Sequence, residues 1–299
     1  MRLTRRQFLQ VLGAGSLGVA YLSAARPAAA GRLPPSAILI DIARCIGCRS
    51  CEAACKDVHG FPPGESSDLG VRAWTYVRVQ RISRPVPHLT LGEASAMQRT
   101  YKVQCMHCVE PACASACPVA ALRKTPSGPV TYDAGRCIGC RYCMLACPFQ
   151  VPRFDWQSPL PIIAKCDLCA ERLARGERPA CVAACPAEAL TFGPRPAMLA
   201  EAARRIAERP GRYVRAIYGQ DEAGGTSVLY VSDVPFEDLG LPAVVREPLP
   251  AYTWRALGKV PAVIVGLGAM LSALEAFSRR RRRPEREGGS PARPRGVQP

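Results

Sequence analysis

All 16 cysteines of this 299-residue chain fall into four short runs of four. Two runs have the spacing C-x2-C-x2-C-x3-C, and the other two have the form C-x2-C-xn-C-x3-C-P, in which n is 4 or 11. Thiolates are soft ligands that hold zinc or iron–sulfur clusters. Groups of four so close in sequence therefore indicate metal centres. The runs span residues 45–55, 105–117, 137–147 and 166–185.

The spacing of the run at 137–147 selects among these metals. C-x2-C-x2-C-x3-C followed by Pro148 is the spacing of bacterial runs that ligate [4Fe–4S] clusters. Zinc sites take their four ligands from two separated knuckles, whereas here the thiols are crowded together. A disulfide framework is disfavoured because thiols two residues apart are badly placed for one another. The run at 45–55 repeats the spacing, with Lys56 at the position of Pro148.

The order of the runs predicts two dicluster units. Residues 118–136 separate the second run from the third, and they are predicted as a short helix, a Gly-Pro turn and a strand. That is the length of a complete two-cluster ferredoxin, made from one run of each type. The runs at 45–55 and 166–185 are again one of each type, so we expect them to form a second unit in permuted order.

In such a pair, the first three cysteines of one run share a cluster with the fourth cysteine of the other run. Applied to both units, this rule predicts four ligand sets and therefore four [4Fe–4S] clusters. The sets are Cys45, Cys48, Cys51 and Cys185 (cluster 1); Cys166, Cys169, Cys181 and Cys55 (cluster 2); Cys105, Cys108, Cys113 and Cys147 (cluster 3); and Cys137, Cys140, Cys143 and Cys117 (cluster 4).

Four side chains beside these cysteines are candidates for tuning the clusters. His107 lies between two cysteines of one run, and we expect it to hydrogen-bond near the cluster sulfurs rather than to ligate iron, because each set already has four thiolates. Arg49, Arg141 and Lys165 adjoin cluster cysteines. Positive charge beside a cluster is one of the factors that set its reduction potential.

The first 30 residues are interpreted as a twin-arginine signal peptide. Arg5 and Arg6 precede a Gly- and Ala-rich, weakly hydrophobic stretch at 8–25, and residues 28–30 offer a small-residue cleavage site. Twin-arginine signals mark bacterial export, by a route that carries folded proteins. Clusters must be assembled in the reducing cytoplasm, where thiols stay free, so the two features fit each other. An uncleaved anchor is the alternative.

The C-terminal residues predict a single membrane span. Residues 260–274 form an uncharged run of 15 between Lys259 and Glu275, short of the roughly 20 residues that a span needs. Apolar neighbours extend it to 257–278 if the two charged side chains snorkel to the interfaces. Five successive arginines then place a basic, disordered tail, 279–299, in the cytoplasm and the folded domain outside. A buried helix of a soluble protein is the alternative.

The remaining segments predict a scaffold, without a recognisable nucleophile–base pair or dinucleotide loop. Strands are expected in the first third of the chain, in an otherwise irregular insert at 57–104, and in an extension at 196–250. The expected elements are strands at Ser36–Asp41, Trp74–Ile82, Tyr213–Tyr218 and Ser227–Val231, a helix at Pro196–Arg209, and a linker at Pro242–Pro250.

The net charge of +16 is concentrated at the two ends of the chain. Residues 1–30 carry +4 and residues 257–299 carry +6. A protein that reads nucleic acid would concentrate its charge on the folded domain, whereas these ends are the segments that meet membranes. We therefore expect no nucleic-acid partner.

Together these features resemble a known family. The four runs in this order, with QCMHCVEPAC and CIGCRYCMLACPFQVPRFDW, resemble the four-cluster electron-transfer subunits of bacterial respiratory oxidoreductases over residues 36–278. A twin-arginine signal on the iron–sulfur subunit itself, with one C-terminal span, looks most like membrane-bound [NiFe]-hydrogenases of the hydrogenase-2 type. FGPRPAMLAEAARRIAERP and GGTSVLYVSDVPFEDLGLP are similar to that subunit too, but the second also resembles the β subunit of periplasmic formate dehydrogenase.

The resemblance implies a fold and a function. The fold is α+β, with two bacterial-ferredoxin-like dicluster units related by pseudo-symmetry in residues 31–195, with inserts and a C-terminal transmembrane helix. The function is non-catalytic electron transfer from a periplasmic [NiFe]-hydrogenase to a quinone-reactive integral-membrane subunit, at the periplasmic face of the inner membrane. The β subunit of a formate dehydrogenase, or of another molybdopterin oxidoreductase, is the alternative. An enzyme would need a substrate pocket, and a cluster carrier would not need four complete ligand sets or an anchor.

Overall fold

The computed structural model describes residues 35–82, 98–158 and 162–287, with side chains up to residue 279. These residues form short strands and helices, and the interpreted signal peptide lies outside them. The strands are β1 (Ser36–Asp41), β2 (Tyr76–Arg81), β3 (Gln98–Val103), β4 (Leu122–Lys124), β5 (Val130–Tyr132), β6 (Arg153–Phe154), β7 (Ile163–Ala164), β8 (Leu190–Pro194) and β9 (Val228–Val231). The helices are α1 (Ser50–Val58), α2 (Ala112–Ser115), α3 (Tyr142–Ala146), α4 (Ala170–Ala174), α5 (Ala180–Ala183), α6 (Arg195–Glu208), α7 (Leu249–Leu257) and α8 (Val260–Glu287).

A three-stranded sheet in the order β8-β1-β9 lies at the centre of the scaffold. β1 runs antiparallel to β8 and parallel to β9. Ile38 and Ile40 pack into one core, while Ala37 and Leu39 pack on the opposite face with residues of α6. Because both faces are covered, β1 reads as a continuous apolar run. The strand expected at Ser36–Asp41 is confirmed.

Two antiparallel strand pairs support the cysteine runs in the same register. β4 pairs with β5 so that Leu122 lies opposite Tyr132, and β8 pairs with β1 so that Leu190 lies opposite Ile40. Each leucine comes five residues after the last cysteine of a run that ends in Cys-Pro. Each partner comes five residues before a run with the spacing C-x2-C-x2-C-x3-C, called a first-type run below. The backbone N–H groups of Asp133 and Asp41, at equivalent positions, both donate over 2.8 Å to an alanine carbonyl of the partner strand.

The short helix expected after Cys117 is wrong. The chain makes a tight turn instead, in which the Ala120 N–H donates to the Cys117 carbonyl over 3.2 Å, and Ala120 adopts a left-handed backbone with φ of 50°. The residues that follow Ala120 adopt extended rather than helical backbone. The chain therefore leaves the turn in extended form as β4.

The insert at 57–104 contributes a pair of strands that packs on the core formed around Ile38 and Ile40. β2 and β3 pair antiparallel from Tyr76 opposite Val103 to Arg81 opposite Gln98. β2 confirms the strand expected at Trp74–Ile82, with slightly shorter bounds. Tyr101 of β3 is fully buried, and its hydroxyl donates to the Leu239 carbonyl over 2.6 Å. β3 was not expected from the sequence.

The extension after the last cysteine run adds a helix and a strand to the sheet. α6 confirms the expected helix within one residue at each end, and β9 confirms the strand expected at Ser227–Val231 within one residue. The strand expected at Tyr213–Tyr218 is wrong. Val214 and Tyr218 bond the backbone beside and within β9 over 2.8 and 3.0 Å, but the exposed residues between them form no continuous ladder with that strand.

A buried ion pair ties this extension to the end of β1. Asp41 is fully buried, and its Oδ2 accepts hydrogen bonds from Arg205 Nη1 at 3.1 Å and from the Tyr213 hydroxyl at 2.9 Å. Removing one partner of a buried ion pair costs about 3–5 kcal/mol, because the other charge is left buried without compensation. Since Asp41 comes just before the first cysteine run, the extension helps to position that run.

The C-terminal helices are exposed except at the start of α7, where Pro250 is buried. α7 lies against α2, and α8 follows it after Gly258 and Lys259. Among the described residues, one stretch, Leu249–Arg279, is long and apolar enough to cross a membrane, and none of its most apolar window is buried. Two boundaries differ from expectation. α7 begins inside the expected linker, and α8 continues to Glu287 rather than ending where the disordered tail was expected, because arginine and glutamate are good helix formers.

Candidate metal centres

Residues with positive φ bend the backbone of both first-type runs in the same way. Gly47 and Gly139 have φ of 72° and 68°, and Arg49 and Arg141, two residues later, have φ of 59° and 65°. Positive φ is uncommon for a residue other than glycine, so tertiary contacts must hold the two arginines in this form. This bend turns backbone N–H groups toward sulfur, as where Gly139 donates to Cys137 Sγ over 3.5 Å.

The first predicted ligand set is gathered around one small cavity. This cavity, called cavity 1 below, is lined by cysteines of two runs that lie more than 130 residues apart in sequence. Burial raises the pKa of the Cys51 thiol to about 12, and the neighbouring thiols Cys181, Cys45 and Cys185 raise it as well. The cysteines that line cavity 1 are Cys45, Cys48, Cys51 and Cys185.

The second predicted set is gathered around a neighbouring cavity, called cavity 2. Burial raises the pKa of the Cys55 thiol to about 12, with further contributions from the thiols Cys181 and Cys169. Burial also raises the pKa of Cys166 well above its ordinary value. The cysteines that line cavity 2 are Cys55, Cys166, Cys169 and Cys181.

The third and fourth sets are brought together in the unit built on β4 and β5. Burial raises the pKa of Cys108, and the thiols Cys105, Cys147 and Cys113 raise it further. Burial raises the pKa of Cys143 to about 11, and the thiols that add to this effect are Cys137, Cys140 and Cys117. In each case the fourth neighbour comes from the other run of the unit, as in the crossed arrangement.

Neighbouring thiols also connect one set to the next. Cys181 of the second set lies close enough to Cys51 of the first to raise its pKa. In the same way, Cys105 of the third set raises the pKa of Cys166 of the second. Cys143 of the fourth set raises the pKa of Cys113 of the third. The four sets are therefore neighbours in the order 1, 2, 3, 4.

The donor sets and their surroundings suit iron–sulfur clusters. All 16 cysteines lie in the described part of the chain and are free thiols. Burial raises the pKa of thiols in every set, as at Cys51, Cys55, Cys113 and Cys143, so metal binding there must release protons. Sulfur ligands in crowded sets of four select iron–sulfur clusters or zinc over metals that prefer oxygen. Zinc at every set would leave buried hydrogen-bonding groups beside the thiol runs unsatisfied.

Two of these groups are buried side chains whose polar atoms find no partner among the described residues. The Gln104 amide lines cavity 2, and neither its nitrogen nor its oxygen is hydrogen-bonded. His107 accepts a hydrogen bond at Nδ1 from the Val130 N–H over 2.9 Å, so Nε2 carries the proton, and that atom is unpartnered. Buried donors of this kind are costly unless satisfied. Inorganic sulfide is an acceptor that a cluster would bring and zinc would not.

The tuning residues expected from the sequence differ in their surroundings. Arg49 pairs with Glu52 at 3.4 Å and with Glu65 at 3.3 Å, so its charge is compensated. Arg141 lies over the rings of Phe154 and Trp156, 4.4 and 4.2 Å from their centroids. Lys165, by contrast, is buried.

Lys165 donates to the carbonyl oxygens of Val130 and Cys166 rather than to a carboxylate. Two further lysines near the thiols were missed in the sequence. Lys102 is fully buried beside thiols of the first two sets. Burial lowers the pKa of Lys124 to about 8, against the thiols Cys108 and Cys105, which raise it. The signal that could have found them is their position close to a cysteine run: Lys102 is three residues before Cys105, and Lys124 is seven residues after Cys117.

A fifth group of metal-binding side chains overlaps the second set. The ligand atoms of His59, Asp167 and Cys169 lie within 4.8 Å of one another. Cys169 is already one of the four thiols around cavity 2, and His59 Nε2 is 3.6 Å from Asp167 Oδ1. The group is therefore part of the surroundings of cavity 2 rather than a separate centre.

Comparisons with known proteins point in the same direction. A family model described as a 4Fe-4S dicluster domain matches residues 98–195. A protein of Nitratidesulfovibrio vulgaris is 42% identical over 287 residues, which cover 93% of this chain and 77% of the relative. The hydrogenase-2 operon protein HybA of Escherichia coli O157:H7 is 36% identical over 278 residues, covering 80% and 84%. The nitrate-inducible formate dehydrogenase iron–sulfur subunit of Escherichia coli K12 is 34% identical over 251 residues, covering 79% and 82%.

Proposed function

Because the chain belongs to the family of iron–sulfur electron-transfer subunits of hydrogenase-2 and formate dehydrogenase type, we propose that it relays electrons through four [4Fe–4S] clusters from a periplasmic [NiFe]-hydrogenase to a quinone-reactive membrane subunit. The observation that carries this proposal is the series of four neighbouring thiol sets, ordered 1 to 4. A relay needs adjacent one-electron centres held in an insulating matrix. When bound, a [4Fe–4S] cluster supplies one-electron transfer at each set.

The chain's own residues hold and insulate these centres. The ligands of each cluster are the cysteines of one set, with the fourth ligand taken from the other run of the same unit. Apolar side chains of the core separate the sets from water. Both strand pairs place the cysteine runs in one register, which supports a pseudo-symmetric double ferredoxin domain at 31–195 with the extension 196–250 packed on it.

The two terminal sets are the ones that reach the surface. Cys48 of the first set and Cys140 of the fourth are exposed, and each follows an exposed isoleucine, Ile46 at 68% and Ile138 at 63%. Apolar surface beside an exposed ligand suits a protein–protein contact. In this proposal the donor docks near Cys48 and the acceptor lies near Cys140.

The anchor supports this direction. α7, at the start of the candidate span, lies against α2, the helix that carries Cys113 of the third set. The unit of sets 3 and 4 then faces the membrane, and the unit of sets 1 and 2 faces the catalytic subunit. The interpreted twin-arginine signal at 1–30, the candidate span at 257–278 and the arginines after it support a periplasmic location for the folded part. The residues beyond the span are then cytoplasmic.

The hydrogenase is preferred to the formate dehydrogenase because of the N-terminal signal peptide and the C-terminal span. Identities of 36% and 34% do not separate the two kinds of relative. A signal peptide on the iron–sulfur subunit, combined with a single C-terminal span, resembles the hydrogenase-2 arrangement. Formate as the electron source is therefore the second candidate.

Deleting the gene should separate these candidates. Hydrogen-dependent quinone reduction by membranes should be abolished, while hydrogen oxidation with an artificial dye persists, because the dye takes electrons from the catalytic subunit directly. Supplying the gene on a plasmid is the control. Loss of formate-dependent quinone reduction, with the hydrogen-dependent rate intact, would replace the hydrogenase by a formate dehydrogenase.

A further inference from the structure

Strand β3 and the residue that follows it, Gln104, carry polar side chains along the series of thiol sets. Residues 100, 102 and 104 point to the same side because side chains alternate along a strand. Thr100 Oγ1 lies 3.2 Å from the Cys45 carbonyl oxygen and 3.7 Å from Cys45 Sγ, at the first set. Lys102 lines cavities 1 and 2, and Gln104 lines cavity 2. The next residue, Cys105, belongs to the third set.

Lys102 is the charged member of this series. It is 2% exposed, and the thiols that act on its charge belong to two sets, Cys51 to the first and Cys181, Cys166 and Cys55 to the second. A charge between two cavities acts on both of them, and low-dielectric surroundings screen it little.

We propose that Lys102 is the shared counter-charge of clusters 1 and 2, and that it holds both of their reduction potentials higher than they would be without it. The reduced form of a cluster carries one more negative charge than the oxidised form. A buried cation next to a cluster therefore stabilises the reduced form more, and net charge and hydrogen bonding are known to set cluster potentials. The inference rests on the four-cluster assignment proposed above.

Lys102 has a matched counterpart in the other unit. Lys124 Nζ donates to the His107 carbonyl at 2.9 Å and to Ser227 Oγ at 3.2 Å, and the thiols that raise its pKa, Cys108 and Cys105, both belong to the third set. The two lysines thus differ in how many sets they adjoin. Replacing each by methionine removes one charge and keeps an unbranched side chain that is one heavy atom shorter.

The test is a redox titration followed by EPR on the full-length chain, purified anaerobically in detergent. In Lys102→Met, two of the four potentials should fall and the other two should stay at their wild-type values. In Lys124→Met, the potential of one cluster should fall, and it should be one that Lys102→Met leaves unchanged. The proposal is overturned if Lys102→Met moves no potential, only one, or more than two, or if it moves them upward.

Iron and acid-labile sulfide are measured first, because a buried charge can also be needed for assembly. If Lys102→Met lacks clusters, Lys102→Arg is the second variant. Full cluster content in the arginine variant supports a requirement for charge, whereas loss in both variants shows a structural role and rejects the proposal. A wild-type chain with fewer than four clusters would instead reject the four-cluster assignment, before any variant is considered.

Discussion

Replacing Cys108 and Cys147 together by alanine should destroy a single cluster, although the two residues belong to different runs. Both cysteines are in the third set, in which burial and the other three thiols raise the pKa of Cys108. With only Cys105 and Cys113 left, that cluster cannot be held. The double variant should keep three intact [4Fe–4S] clusters, and its iron content should fall by about one quarter.

The matched control is the pair Cys140→Ala and Cys147→Ala, which lie in one run. In the crossed arrangement these substitutions damage two clusters, the third and the fourth, so only two intact [4Fe–4S] clusters should remain. Mössbauer spectra of the 57Fe-labelled chain, with iron and sulfide content, give the counts. If each cluster were held by one run alone, the two double variants would give the opposite counts.

Ending the chain after Pro248 should release it from the membrane with its clusters in place. This truncation removes α7 and α8, which contain the candidate span and no cysteine. In a strain without the catalytic and membrane subunits, the amount of chain in the membrane fraction should fall by more than about tenfold, because an inserted helix is an effectively permanent anchor. Fractionation and immunoblotting measure it.

A chain that ends after Arg279 is the control, since it keeps the span, and it should stay in the membrane. Retention of the shorter chain in the membrane would show that α7 and α8 are not the anchor. The orientation has a separate readout. A tag at the C-terminus of the full-length chain should resist protease added to intact spheroplasts, and its digestion there would contradict a cytoplasmic tail.

The sequence predicted local elements well where spacing constrains them. Residues AILI within SAILID are apolar without interruption, so β1 was expected with its observed bounds. α6 was expected because its apolar and charged residues recur at helical spacing. Cysteine spacing also predicted which runs approach each other, and the cavities gather thiols in the same groups. The alanine variants test the crossed pairing in the other unit, at sets 3 and 4.

Other elements depend on contacts that local sequence does not contain. VAAL after Cys117 has high helix propensity, but the left-handed Ala120 turns the chain into β4. Lys102 and Gln104 look like the polar positions of a half-exposed strand, yet both are buried at the thiol sets. Their role becomes visible only when the hairpin of β2 and β3 is placed beside cavities 1 and 2. Tyr213–Tyr218 has strand-forming residues but pairs only near its ends.

The central claim is that electrons pass through this chain between a hydrogen-oxidising subunit and the quinone pool. Rapid-freeze EPR on anaerobic membranes tests it, using the signals that are present in wild type and absent from the deletion strain. Adding hydrogen should produce reduced-cluster signals of the chain, and adding a quinone should then remove them. Signals that stay unreduced under hydrogen, in membranes that still oxidise hydrogen with a dye, would contradict the relay.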